Sequence, residues 1–347
     1  MQTLLIAAIL ILFLVVVFQI AKASEYVAMI RGYENARKQS NRINAFLLLA
    51  FLVLGLIGVY YCNEALKGKI LGDPASDHGV LVDRMLYVTL AITFIVFLIT
   101  QIALFWFAYK YQESDNRKAY FYPHNNTLEL VWTVIPAIAL SVLVGFGIFY
   151  WFKITGPAPK DAMIVEVVGK QFGWEFRYPG ADGILGKKYF KKVDPANGNP
   201  VGQLWEDPAN HDDVYVEQEM HLVVGKPVQL VIGAKDVIHD VGLVHFRMKM
   251  DAVPGTPTSM WFTPTYTTKE MKVKTGNPDF VYEMSCDQLC GKGHWSMRGV
   301  IVVETQEEFD AWLASKKPQY LVANPDKDPS IKKDSVSVAP LTGAIIK

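Results

Sequence analysis

CDQLCGKGHWSM, residues 286–297, gathers Cys286, Cys290, His294 and Met297 into twelve positions. Two thiols, an imidazole and a thioether so close together point to a metal or to redox chemistry rather than to packing. Three readings compete. A Cys286–Cys290 disulfide suits an oxidising compartment but leaves His294 and Met297 without a role. Structural zinc favours a closed tetrahedron of Cys and His, so it needs a distal histidine and leaves Met297 idle. Copper takes this mixture of thiolate, imidazole and thioether readily. A single blue-copper ion uses one cysteine, so the second thiol suggests a pair of coppers bridged by both sulfurs, each with its own imidazole. His294 is one such imidazole, and Gly291 and Gly293 let the backbone fold round the metal. KDVIHD, residues 235–240, offers the other: His239 ends an apolar run where the chain leaves a strand. A histidine in that setting is by itself more often packed or exposed, and His221 and His245 are read that way.

Working outward, the chain has 347 residues, enough for about two domains. Apolar residues make up 51% of it, concentrated before residue 153. The formal net charge is zero, which gives no basic groove for a nucleic acid. Cys62, Cys286 and Cys290 are the only cysteines, too few for a disulfide scaffold.

Residues 3–20, 44–62, 85–109 and 130–152 contain no Asp, Glu, Lys or Arg. Each is close to the length that crosses a bilayer as a helix, so four transmembrane helices are expected. The first lacks the basic start of a signal peptide and is long for one. The first loop holds Lys22, Arg31, Arg37, Lys38 and Arg42 against Glu25 and Glu34, and the third holds Lys110, Arg117 and Lys118. The middle loop has only Lys67 and Lys69, with Arg84 at the membrane edge. The positive-inside rule makes the first and third loops cytoplasmic and puts both termini, and everything after residue 153, outside.

Beyond about residue 162 the periodicity becomes strand-like. MIVEVVGKQFGWEFRY, DVYVEQEMHLVV, KPVQLVIGAKDV, EMKVKTG and MRGVIVVET read as strands of an antiparallel sandwich or barrel. QEEFDAWLASK reads as a short amphipathic helix. Residues 179–212, rich in Gly, Pro, Asp and Asn, read as a surface insertion whose lysines at 187–192 are solvated. The segment from 320 to 347 reads as a flexible tail.

Cys-x3-Cys-x3-His-x2-Met at 286–297, with DVIH at 236–239, DAVPG at 251–255 and LELVWTVIPAIAL at 128–140, closely resembles subunit II of haem-copper cytochrome c oxidase, over residues 80–315. The resemblance implies a membrane protein in which transmembrane α-helices precede an all-β cupredoxin-like sandwich. Residues 1–62 would be two extra helices, 63–158 the family's helical hairpin, and 159–319 the outer domain. It further implies a binuclear CuA centre held by His239, Cys286, Cys290, His294, Met297 and the backbone carbonyl of Gln288. Such a centre accepts electrons from a cytochrome c, or from a cytochrome c domain of a neighbouring complex. It passes them to haem a in subunit I, where oxygen is reduced to water with proton pumping. The remaining partners would be other oxidase subunits and membrane lipid. The location implied is a bacterial inner (plasma) membrane, with the outer domain on the periplasmic side.

Single residues carry over in the same way. Glu129, a carboxylate that could simply favour a helix N-terminus, matches the entrance of a proton channel into subunit I. Asp251 matches a contact with subunit I. The family's GHQWYW stands here as GKQFGW, residues 169–174, so electrons would enter near Phe172, with Trp174 retained. The family's usual Glu is Gln288 here. A neutral amide is a weaker ligand for a hard cation, which puts the magnesium at the subunit I interface in doubt. No Cys-x2-Cys-His occurs, so no haem c is fused to the chain. A membrane-anchored copper chaperone or thiol oxidoreductase is the alternative reading. It is disfavoured by His294 and Met297 sharing one loop and by the lack of a βαβ pattern. The quinol-oxidase form of subunit II lacks copper ligands that this chain has.

Overall fold

The computed structural model describes residues 2–67 and 72–330, which form two compact units. One unit holds residues 2–67 and Leu86–Val144; the other holds 72–85 and 145–330.

Among the described residues, four helices are long and apolar enough to cross a membrane: α1 (Gln2–Arg31), α2 (Tyr33–Leu66), α3 (Asp77–Lys110) and α4 (Asn126–Thr155). At about 1.5 Å per residue, α2 and α3 run to roughly 50 Å, well beyond the hydrocarbon thickness, so they carry polar ends into water. The expected first loop is in fact almost all helix. The chain turns at Gly32 alone, whose φ of 80° suits glycine, and the charged residues on either side extend the helices. Arg37 and Lys38 near the start of α2 pair with Glu113 and Asp115 just past α3, which puts the two positively charged loops at one end of this unit. Lys69 lies outside the described residues.

The second unit is a sandwich of two five-stranded sheets. The strands are β1 (Met163–Lys170), β2 (Gly173–Tyr178), β3 (Val214–Glu217), β4 (Glu219–Val223), β5 (Val228–Ala234), β6 (His239–Leu243), β7 (Met248–Ala252), β8 (Thr258–Phe262), β9 (Tyr282–Cys286) and β10 (Arg298–Glu304). Their order is β3-β2-β1-β5-β8 in one sheet and β4-β10-β9-β6-β7 in the other. The sheets are mixed, not purely antiparallel: β1 runs parallel to β5 and β4 to β10, because the chain changes sheets between β3 and β4 and again between β4 and β5. Inward residues alternate along the strands and fill the space with Val165, Val167, Trp174, Phe176, Leu222, Leu230, Val241, Tyr282 and Ile301. A fully buried aliphatic or aromatic side chain contributes about 1.5–3 kcal/mol, so this packing sets the sandwich's rigidity.

EMKVKTG is helix, not strand: α5 spans Thr268–Thr275. Thr267 and Glu270 form a reciprocal capping box, and Gly276 ends the helix in the left-handed region at φ 65°. α6 (Gln306–Ala314) is the expected amphipathic helix, with a second capping box at Thr305 and Glu308.

The insertion at 179–212 is folded against the sandwich. Three short 3-10 turns, Phe190–Lys192, Pro195–Asn197 and Pro208–Asn210, lay it over β2, and every residue of β2 is buried. The outward-facing Arg177 donates to Glu166 Oε2 (2.7 Å), Gly186 O (2.8 Å), Asn210 Oδ1 (3.0 Å) and Asp213 Oδ2 (2.7 Å). Lys188, expected to be solvated, pairs with the other oxygen of the buried Glu166. The expected tail also starts later than residue 320. α7 (Gln319–Ala323) packs by Gln319 N to Asp213 O (2.9 Å) and by Gln319 Nε2 to Gly198 O (2.7 Å). Residues 331–347 lie outside the described part.

Residues 72–85 belong to this unit through hydrogen bonds. Ala75 and Asp77 join the strand-end segments at His245 and Thr263, and Asp83 forms a two-pronged ion pair with Arg247 at 2.9 and 3.1 Å.

Candidate metal centre

Three segments of the β4-β10-β9-β6-β7 sheet converge at one end of the sandwich. β9 ends at Cys286, β10 starts at Arg298, and the loop between them is closed at its base by Cys286 N to Met297 O at 3.2 Å. β6, paired with β9, begins at His239. A short 3-10 turn, His294–Ser296, brings His294 back over Cys290.

The expected ligands lie together. Cys286 Sγ and Cys290 Sγ are 3.7 Å apart, far beyond a disulfide bond of about 2.05 Å, and both thiols are free. His239 Nδ1 is 3.8 Å from Cys286 Sγ, and His294 Nδ1 is 3.8 Å from Cys290 Sγ. Met297 Sδ is 3.8 Å from Cys290 Sγ, and the Gln288 carbonyl is 3.3 Å from Cys286 Sγ. His239, Cys286 and Cys290 form a buried group able to hold a metal ion, and Met297 is buried beside them. Burial, with Cys286 alongside, pushes the Cys290 thiol up to about 11. The site therefore favours thiolate only when a cation replaces the protons.

The donor set is soft and mixed, with a nitrogen against each of two neighbouring sulfurs. That fits copper better than zinc, for which Met297 is surplus. The family's interface magnesium fits less well. Gln288 offers an amide on an exposed side chain, whereas a hard cation prefers carboxylate oxygen.

The surroundings hold the ligands in place. His239 Nε2 lies 2.8 Å from Asp236 Oδ1, which orients the ring with Nδ1 toward the sulfur. Asp236 also accepts from the backbone N–H of Gln171 and Val237, both at 2.7 Å. Burial alone would raise this carboxyl, but the bonds from His239, Gln171 and Val237 outweigh it and hold it below the usual range. Gln171 Nε2 donates to Cys290 O at 2.5 Å. A Cβ at Gly169 would lie 2.9 Å from the His239 ring, and one at Gly293 would lie 2.5 Å from the Phe172 ring. Glycine is needed at both for the close approach, and Gly291, at φ 132°, sits where an L side chain is strained.

Asp236→Asn keeps the shape but weakens the orienting bond. Copper affinity is expected to fall about 10–100-fold, as measured by competition with a chelator. An unchanged affinity would remove Asp236 from the centre.

The other expected residues are dispersed. Trp174 is fully buried, its ring 6.0 Å from that of His239 and its indole N–H without a partner, so it backs the ligand and presents nothing to solvent. Phe172 is half-buried over Gly291 and Gly293. Asp251, exposed on β7, stands opposite the buried Asp240, whose carboxyl is pushed up to about 7 by burial and by Asp251 beside it. Glu129 lies in the first turn of α4, in the other unit, and is exposed. His221 and His245, read from the sequence as packed or exposed, are packed: His221 stacks on Trp312 at 3.9 Å between Glu219 and Glu304, and His245 lies edge-on to Phe280 and Tyr282. Sequence reasoning missed Asp236, although an acid three residues before a ligand was a signal. It also missed Gln171, for which there was none.

Known proteins are similar to much of this chain. The family model for the transmembrane domain of cytochrome c oxidase subunit II matches residues 74–150, and that for its periplasmic domain matches 163–305. The alternative cytochrome c oxidase subunit 2 of Bradyrhizobium diazoefficiens is 32% identical over 245 residues, covering 70% of this chain and 83% of that protein. Cytochrome c oxidase subunit 2 of Thermostichus vulcanus is 27% identical over 303 residues, covering 80% and 86%. Among solved structures, the periplasmic domain of subunit II of the Bradyrhizobium japonicum cytochrome oxidase aligns over 47% of this chain and 99% of that one, at 23% identity and a TM-score of 0.32.

Proposed function

The chain belongs to the cytochrome c oxidase subunit II family, and we propose that its sandwich domain carries the binuclear copper centre through which such an oxidase takes in electrons. As a member of that family it is a membrane-anchored subunit of an oxidoreductase, with a domain of the periplasmic type. The observation that carries the copper reading is the facing pair of sulfurs, each with an imidazole nitrogen at 3.8 Å.

When bound, a copper pair at this position supplies reversible one-electron transfer with the charge change shared between two ions. The chain's own residues do the rest. His239 and His294 would each offer a nitrogen, Cys286 and Cys290 a sulfur apiece, and Met297 and the Gln288 carbonyl would complete the set. Asp236 fixes the tautomer and tilt of His239. Burial of His239, Cys286, Cys290 and Met297 keeps water off the centre, and strand ends with a closed loop keep the ligands from rearranging as charge changes.

In this reading a cytochrome c, or a cytochrome c domain of a neighbouring complex, delivers electrons past Phe172. Held by these residues, a copper pair would supply the one-electron relay from that donor to haem a in subunit I, the site of oxygen reduction coupled to proton pumping. Asp251 contacts subunit I, and Glu129 stands at a proton-channel entrance into it. Residues 1–62 contact other subunits. The membrane is the plasma membrane of a bacterium, with both termini and the sandwich on the periplasmic side. This orientation is supported by the basic loops at one end of the helical unit. A transfer role as a copper chaperone is not favoured, because both thiols sit deep in a closed loop.

Copper analysis and electron paramagnetic resonance of the purified complex test the reading. A pair of coppers per chain sharing one unpaired electron, seen as hyperfine splitting from two equivalent nuclei, is the expected result. A single copper with its own four-line pattern, or zinc in the site, would overturn it.

A further inference from the structure

The sandwich is open along one flank. There β7, the edge of one sheet, lies beside β8, the edge of the other, with no pairing between them among the described residues. Edge strands leave part of their backbone N–H and C=O groups free. The end of α4 closes one side of this opening. Trp261 on β8 donates its indole N–H to Gly156 O at 2.9 Å, and the buried His78 ring stands edge-on to that indole at 4.3 Å. The result is a cleft of about 430 Å³, within the range of small-molecule sites.

Its lining is amphipathic. Met248, Met250 and Met260 from the edge strands give an adaptable apolar wall. Lys249, Gln229 and Ser259 give hydrogen-bond donors, and no Asp or Glu among the described residues lines the cleft. Arg247 is already held by Asp83 at 2.9 and 3.1 Å. Lys249 is different: its nearest acid, Asp240, is 3.9 Å away, beyond a hydrogen bond, and 60% of its side chain is exposed. That positive charge is open to a ligand.

What fills the cleft follows from where α4 leads. Ile148, Trp151 and Thr155 recur at helical spacing on one face of this membrane-spanning helix. Trp151 and Thr155 line the cleft, and Ile148 and Trp151 are 51% and 65% exposed. The cleft therefore continues onto an apolar strip that enters the bilayer. Trp151 with Lys153 beside it is the aromatic and basic pairing of a headgroup layer.

We propose that this cleft is a binding site for one anionic phospholipid, its phosphate on Lys249, Gln229 and Ser259 and an acyl chain laid over Trp151 and Ile148. The site stands apart from the copper centre and does not depend on the copper reading. One basic side chain at the membrane surface is worth about fivefold in affinity for an anionic headgroup, so Lys249 selects against zwitterionic lipid. The bound lipid covers the open flank between β7 and β8 and joins it to the end of α4.

The test uses the purified oxidase complex in detergent, stripped of lipid and titrated with phosphatidylglycerol or phosphatidylcholine that carries a photoactivatable acyl chain. Mass spectrometry maps the labelled peptides and counts lipid bound per chain. Phosphatidylglycerol is expected to saturate at one lipid, labelling residues 145–158 and 248–261, with phosphatidylcholine weaker by about fivefold or more. Lys249→Ala should weaken phosphatidylglycerol by about fivefold and leave phosphatidylcholine within about twofold of wild type. Lys249→Arg should restore the preference. Ser259→Trp, at an exposed edge-strand position, fills the cleft and should abolish labelling by both lipids. Equal affinity for the two lipids, or labelling that survives Ser259→Trp, would overturn the proposal. So would a wild-type complex whose cleft residues go unlabelled because another subunit covers them. Displacement of the lipid by millimolar inorganic phosphate would overturn it too, by making this a site for the free anion.

Discussion

Cys290→Ser is expected to remove the shared-electron copper signal and to lower donor-driven oxygen reduction by at least about 100-fold, more than the loss of an orienting residue would cause. Cys290 Sγ is the one atom that faces Cys286 Sγ, His294 Nδ1 and Met297 Sδ together, at 3.7, 3.8 and 3.8 Å. A hydroxyl at that point is a hard, neutral ligand that does not bridge soft ions. The remaining thiol, two imidazoles and thioether form at best a mononuclear site. Serine differs little from cysteine in volume, and the base of the loop stays closed by Cys286 N to Met297 O. The variant should therefore keep the fold, and its thermal midpoint without metal should match that of the metal-free wild type. Retention of the shared hyperfine pattern would refute the bridging role of this sulfur.

The second large effect is on stability. Arg177→Ala is expected to destabilise the sandwich by about 3–5 kcal/mol, because removing one partner strands buried charge. For a domain of this size that is a fall of roughly 10 °C in the thermal midpoint, measurable on the whole chain in detergent by near-ultraviolet circular dichroism. Arg177 answers two buried acids at once. At Glu166 burial raises the carboxyl, but Arg177 and Lys188 outweigh it and hold it below the usual range. At Asp213 burial prevails over Arg177 and pushes the carboxyl up to about 6. Without the guanidinium both folded values rise, and that of Asp213 moves further above its unfolded one. The variant is then penalised as pH climbs through the unfolded carboxylate range toward the folded values, and the deficit is fullest above them. The gap from wild type should thus be wider at pH 8 than at pH 5, and a gap that widens toward acid would contradict this account.

The candidate ligands were legible because most lie in one short loop, where spacing along the chain is nearly spacing in space. His239 was harder, since only strand pairing between β6 and β9 brings it to Cys286. The four membrane helices followed from hydropathy alone. The misreadings have local causes. In EMKVKTG the alternation of Met271 and Val273 imitates a strand, but Met271 is buried while Val273 is open to solvent, and the Thr267–Glu270 box decides for helix. The insertion looked solvated because its composition is polar. Its polar groups are anchored by Glu166, Arg177 and Asp213, which stand far apart in sequence, so no local pattern announces the network. The same holds for Gln319, whose partners are Gly198 and Asp213.

The narrow seat of the ligand loop bears on what could be transplanted. The twelve residues from Cys286 to Met297 look like a portable cassette, yet the Phe172 ring lies so close over position 293 that only glycine fits there, and Cys290 O is tied to Gln171. His239 in turn fits only over a bare Gly169 and is steered by Asp236. A graft of the loop alone into another two-sheet scaffold would carry the sulfurs without the mould that spaces them. The smallest transferable piece is three-part: the ligand loop, the turn between β1 and β2 with Gly169, Gln171 and Phe172, and the approach to β6 from Asp236 to His239.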